Sequence, residues 1–114
     1  MEKKIEIQKV ILEKPVYVEM IVTEDGIQVL VAGGDKGHIG AVSIVNPQGE
    51  LVSHCFLGHK EDKITEKWAN AIYAKAGVAV VVSAGVHYNH ISKEQIISVL
   101  DTTDALLSEV LEKI

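Results

Sequence analysis

An unbroken apolar run, Val78-Ala79-Val80-Val81-Val82, sits between two stretches whose apolar residues recur at helical spacing. It is too short for a helix and carries no polar face, which is the pattern of a strand covered on both sides. Everything else must then be arranged around a sheet in which this is the central strand. Before it, Ile64, Trp68, Ala71 and Ile72 share one helical face, Glu61 and Asp62 stand in the first turn, and Gly77 is placed to end the helix. After it, Ser92 and Gln95 form the pattern of a capping box, and Ile91 can staple to Ile96. Ile96, Leu100, Thr103, Leu107, Leu111 and Ile114 trace the expected apolar stripe of the last helix.

Upstream the period is two. Lys4 to Leu12 alternates and then shifts register near Lys9-Val10, which suits a strand with a bulge, and Glu13-Lys14-Pro15 interrupts it. Val16, Val18, Met20 and Val22 share a face of the second strand, and Thr23-Glu24-Asp25-Gly26 turns the chain into Ile27, Val29 and Val31 of a third. Ile39 to Val45 and Leu51 to Phe56 read as strands four and five, joined by the turn Asn46-Pro47-Gln48-Gly49. Five strands in succession imply an antiparallel meander. The order β-β-β-β-β-α-β-α gives a single α+β domain over residues 1–114, mostly antiparallel, with helices on one or both faces of the sheet.

With 114 residues, 47% of them hydrophobic, the chain has enough apolar surface for one ordinary core and is no disordered segment. A net charge of −5 without a basic block argues against nucleic acid as a partner. No apolar stretch reaches the roughly 20 residues that span a bilayer. The amino terminus alternates charged and apolar residues, unlike a secretory signal, and Cys55 has no second cysteine to pair with. A cytoplasmic protein is the expectation.

Three polar stretches begin where apolar strands stop. They are Gly33-Gly34-Asp35-Lys36-Gly37-His38-Ile39-Gly40, Gly58-His59-Lys60-Glu61 and Gly85-Val86-His87-Tyr88-Asn89-His90. In a meander the first, third and fifth strands run the same way, and a right-handed crossover would send the sixth with them. Their carboxyl ends, and so all three stretches, then meet on one edge of the sheet, where two of them also open helices. Gly33 and Gly34 would let backbone approach closely, while Lys36 and Lys60 could neutralise a phosphate. Tyr88 and Asn89 could stack on or hydrogen-bond a planar ligand. A tight hairpin and solvated lysines would account equally well for each stretch taken singly. The stretch at Gly33 is neither a dinucleotide fingerprint nor a phosphate-binding loop of the Gly-Lys-Ser/Thr kind.

His87 and His90, three apart, with His38 and His59 on the same edge, also raise a metal site or an acid–base centre that includes Asp35. The pair lies before Ser92 and not on a helix face, and no cysteine or carboxylate pattern completes a ligand set, so a native metal is not expected. Cys55, inside a strand with His54 pointing to the other face, is a poor nucleophile. Trp68 matches the apolar stripe of its helix and is read as core.

From about Gly33 to the carboxyl terminus, the three motifs in this order resemble those of the small LpdD-like proteins. That family is described as chaperones for prenylated flavin serving decarboxylases of the UbiD type, with a domain similar to the proteasome assembly chaperone fold. The resemblance implies a carrier or maturation factor, not a catalyst, with a prenylated flavin mononucleotide carried and a UbiD-type decarboxylase as client. The motifs transfer as a candidate binding surface: Gly33, Gly34, Asp35, Lys36, His38, Gly40, His59, Lys60, Gly85, His87, Tyr88 and Asn89. A small metal-binding protein or acid–base enzyme using the same histidines is the alternative. An open sheet in so small a chain leaves edges and an apolar face to protect, which predicts a homodimer.

Overall fold

A computed structural model describes residues 2–56 and 61–114. The chain forms β1 (Lys3–Ile11), β2 (Lys14–Val22), β3 (Gly26–Gly34), β4 (Lys36–Val45), β5 (Leu51–Cys55), α1 (Asp62–Ala76), β6 (Ala79–His87) and α2 (Lys93–Glu112). The element order is the one read from the sequence. The sheet order is β1-β2-β3-β6-β4-β5, and β6 is central as its apolar run requires.

The meander is corrected. β1, β2 and β3 do form one, but β6 inserts between β3 and β4, parallel to β3 and antiparallel to β4. A strand with Val80 and Val82 fully buried gains more by hydrogen bonding on both edges than by capping the outside of a five-strand sheet. The chain leaving β3 therefore passes round the carboxyl end of β6 before returning as β4: Gly34 pairs with His87 on one side, and Lys36 with His87 on the other. β4 begins at Lys36, not Ile39, and β6 continues through His87. Much of what reads as loop in the sequence is strand end.

No bulge occurs in β1, whose register with β2 is continuous from Lys3↔Val22 to Ile11↔Lys14; Val10 simply points to solvent. Leu12 and Glu13 make the β1–β2 turn with φ of 51° and 67°, the left-handed pair of a two-residue hairpin built without glycine. The irregularity lies instead in β4. Gly37 pairs with Val86 and Ala41 with Ala84, so His38, Ile39 and Gly40 stand opposite the single residue Gly85.

Both helices lie on one face. Ile5, Val18, Met20, Val29, Val31, Val80 and Val82 project into a single core with Ile64, Trp68 and Ile72 of α1 and Val99, Leu106 and Val110 of α2. Gly77 ends α1 in the left-handed conformation, and the capping box of Ser92 and Gln95 is present. The expected stripe of α2 holds in its later part, where Thr103 and Leu107 are buried and Leu111 and Ile114 pack against the core, and is rotated at its start. Val99, Thr103, Leu106, Leu107 and Val110 are buried, whereas Ile96 and Leu100 are exposed. α2 packs most closely against α1 and β1, so the side of it that reaches these partners wins over an equally apolar neighbouring stripe.

Candidate functional site

The strand directions carry β1, β3, β5 and β6 the same way, so their carboxyl ends share one edge as expected. Gly33 and Gly34 begin the site with φ of 138° and 84°, and a Cβ on either would stand 2.3 Å from a carbonyl oxygen, of Pro15 and His87 respectively. Only glycine lets the chain fold so tightly over the end of β6. The Asp35 N–H then donates to the His87 carbonyl at 2.7 Å, fastening the passage from β3 to β4 onto that strand end.

Two polar groupings grow from this backbone. In the first, the Asp35 carboxylate accepts from the Asn89 N–H at 2.8 Å and lies 4.0 Å from the Lys14 ammonium, while His87 Nε2 and Asn89 Oδ1 are 2.9 Å apart. In the second, His38 Nε2 stands 2.8 Å from Glu61 Oε1, both side chains largely shielded from water. The His38 and His87 rings, 5.8 Å apart and tilted, bring the groupings together. Lys36 is exposed at the start of β4 and makes no ion pair with a described residue.

Glu61 is the residue that the sequence reading leaves out of the site. It is the N-cap of α1, yet its side chain caps nothing and turns to His38 instead. Gly40 makes the room, since a Cβ there would lie 2.2 Å from the Glu61 carboxylate. Glycines in strand interiors are the signal for such close approach. Lys14 is the other addition, brought in by the β1–β2 turn.

Other expected members behave differently. Tyr88 donates its hydroxyl to the Ile11 carbonyl at 2.7 Å, so the phenol ties the site to the β1–β2 turn and is not offered to a ligand through oxygen. Its burial, and then the Asp35 charge, raise its pKa above the ordinary tyrosine value. At α2 the capping box occupies the Gln95 N–H, so that helix start contributes less to an anion site than expected. His90 is exposed with a left-handed φ of 53°. His59 and Lys60, with Gly58, lie outside the described residues. Among the described residues no group of three or more His, Cys, Asp or Glu side chains is arranged to hold a metal ion.

Beside His38 and Glu61 an open apolar groove of about 170 Å³ runs between the helix starts, lined by Ile64, Val86, Tyr88, Ile91, Ile96 and Leu100 among others. Larger hollows occur on the open face of the sheet and away from this edge. A site of this size does not enclose a drug-sized ligand, for which about 300–1,000 Å³ is usual.

A family-wide sequence profile, that of the prenylated flavin chaperone LpdD-like domain, matches residues 13–114. The chain belongs to the LpdD-like family of prenylated flavin chaperones. Protein LpdD of Lactiplantibacillus plantarum is 32% identical to this LpdD-like chain over 88 residues, which cover 73% of the chain and 65% of that protein, just under two thirds of its length. The fold is also similar to a chain in the crystal structure of a chaperone complex for yeast 20S proteasome assembly. There the TM-score is 0.59 and the identity 15%, over 96% of this chain and 94% of that one. This likeness shows that the LpdD-like chain shares the fold of that chain.

Proposed function

We propose that the chain is a cytoplasmic, homodimeric carrier that receives prenylated flavin mononucleotide and passes it to a UbiD-type decarboxylase, using the edge at Asp35, Lys36, His38, His87 and Asn89. The observation that carries this is the meeting of two polar groupings on one open strand edge in a chain of this family. The tilted imidazoles, Asn89 and Lys36 supply donors, ring faces and a cation of the kinds that a flavin ring and its phosphate require. Asp35 and Glu61 disfavour an anion deep between the groupings, so Lys36 at the rim is the residue for the phosphate. When bound, prenylated flavin supplies its chemistry to the decarboxylase; here the residues only hold and release it.

Native mass spectrometry with flavin mononucleotide and with its prenylated form tests the reading. One prenylated flavin per subunit is expected, with Lys36→Ala weakening it by about fivefold, the worth of one exposed ion pair near 1 kcal/mol. Absence of any flavin adduct, together with failure to activate an apo-decarboxylase supplied with the cofactor, would overturn it.

A further inference from the structure

The run Val78–Val82 has the pattern of a strand covered on both faces, yet both helices lie on one. The strand registers define the uncovered face. Ile21, Gln28, Val81, Ile44 and Val52 form one transverse row, and Glu19, Leu30, Ser83, Val42 and His54 the next. On β3, β6 and β4 this face carries no charged side chain in either row, although 24% of the chain is charged. Lys4, Glu6 and Glu19 are gathered on β1 and β2 at one side, where Lys4 pairs with both glutamates. An uncharged, mainly apolar centre with its charges at the margin is the layout of a protein interface.

From this layout we infer that a second copy of the chain covers this face, the two sheets packing across a two-fold axis. The inference rests on the homodimer reading above and names its surface. Six strands about 4.8 Å apart, five of them rising about 30 Å and the short β5 about 17 Å, present about 700 Å² per copy. Two such faces bury about 1,400 Å² in total, inside the about 1,200–2,000 Å² typical of stable complexes. Tyr17, Ile21, Ile44 and Val52 are 40%, 38%, 43% and 66% exposed, so the apolar surface is available to a partner. The hollows over Tyr17 and Glu19, and over Ile21, Leu30 and Val81, give facing side chains room to interdigitate. A second copy is matched in extent and in its own uncharged centre, and a two-fold contact needs no second kind of surface.

The test is sedimentation velocity on the full chain without flavin. The expected mass is twice 12.4 kDa for the parent. Ile44→Glu should weaken dimerisation by about 100-fold or more, because the axis repeats the substitution and each copy then buries a carboxylate. Ile97→Glu, on the exposed side of α2, should leave the dimer unchanged. Ile21→Ser repeats the face test with a milder change, and circular dichroism verifies that each variant is folded. A dimer that survives both Ile44→Glu and Ile21→Ser would overturn the sheet face alone. A monomeric parent would overturn the homodimer as well.

Discussion

Replacing Gly85 with alanine tests how the site is joined to the fold. The backbone of His38 lies directly on Gly85 where β4 bulges past β6, and an added Cβ would stand 1.4 Å from the His38 carbonyl oxygen and 2.2 Å from its carbon. Ordinary contact begins at 3.4 Å, so about 2 Å of clearance must come from backbone on one side or the other. Neither side yields readily, since β6 is paired on both edges and the passage from β3 to β4 is fastened to His87. A superfluous methyl in a packed interior costs about 1–3 kcal/mol when side chains can shift; with backbone as the obstacle the upper figure, about 3 kcal/mol, applies. For a domain of this size that lowers Tm by about 12 °C. Urea unfolding followed by the fluorescence of Trp68, which is the sole tryptophan and buried, measures it. Gly26→Ala is the control: its nearest neighbour would be the Ala79 carbonyl oxygen at 3.5 Å, and a change within about 0.5 kcal/mol is expected. A Gly85→Ala protein as stable as Gly26→Ala would show that the β4 bulge does not rest on β6 as described.

Tyr88→Phe should cost about 1 kcal/mol at neutral pH through loss of the bond to the Ile11 carbonyl. Because burial, and then Asp35, raise the Tyr88 pKa in the folded state, the neutral phenol stabilises the fold below about pH 10, and that contribution is lost as pH rises through the higher folded value. Urea midpoints of parent and variant should therefore converge in alkali, and parallel curves from pH 8 to 11 would refute the assignment. For His38 and Glu61, a double-mutant cycle of His38→Ala and Glu61→Ala should give a coupling of about 1–2 kcal/mol, and additivity within about 0.3 kcal/mol would show that the contact contributes nothing.

What could be read in the sequence was local or periodic. The capping box at Ser92, the stop at Gly77 and the burial of Trp68 follow from a few residues each, and the structure has all three. The apolar run at Val78–Val82 identified the central strand, but not its neighbours. β3 and β4 both carry alternating apolar residues, and nothing in that pattern says that β6 enters between them, since pairing across long separations is set by the whole core. The start of the α2 stripe was misplaced because Ile96 and Leu100 are as apolar as Val99 and Leu106, and the packing of the helix on α1 and β1 decides between them. At the site, the shared edge followed from strand direction. Glu61 did not, because a glutamate beside a helix start looks like a cap, and the clearance at Gly40 that admits it is a property of the folded chain.

The same glycines bear on how the proposed carrier could be built on so small a frame. Gly33, Gly34, Gly40 and Gly85 let three strand ends and the start of α1 close to distances that side chains forbid. The result is an open surface with a groove of about 170 Å³, and a flavin held there would stay mostly in contact with water. Affinity in that arrangement comes from a few polar contacts and little buried area, which shortens residence time. If the chain is the carrier proposed above, this is an advantage: the client would supply the enclosing walls, and release would need no conformational change in the carrier. In the proposed role the closely packed strand ends lower the ordering cost of binding, while the openness of the edge lowers the barrier to transfer. Substitutions at Lys36 should therefore alter cofactor affinity with little effect on stability, whereas those at Gly85 and Gly40 should alter both together.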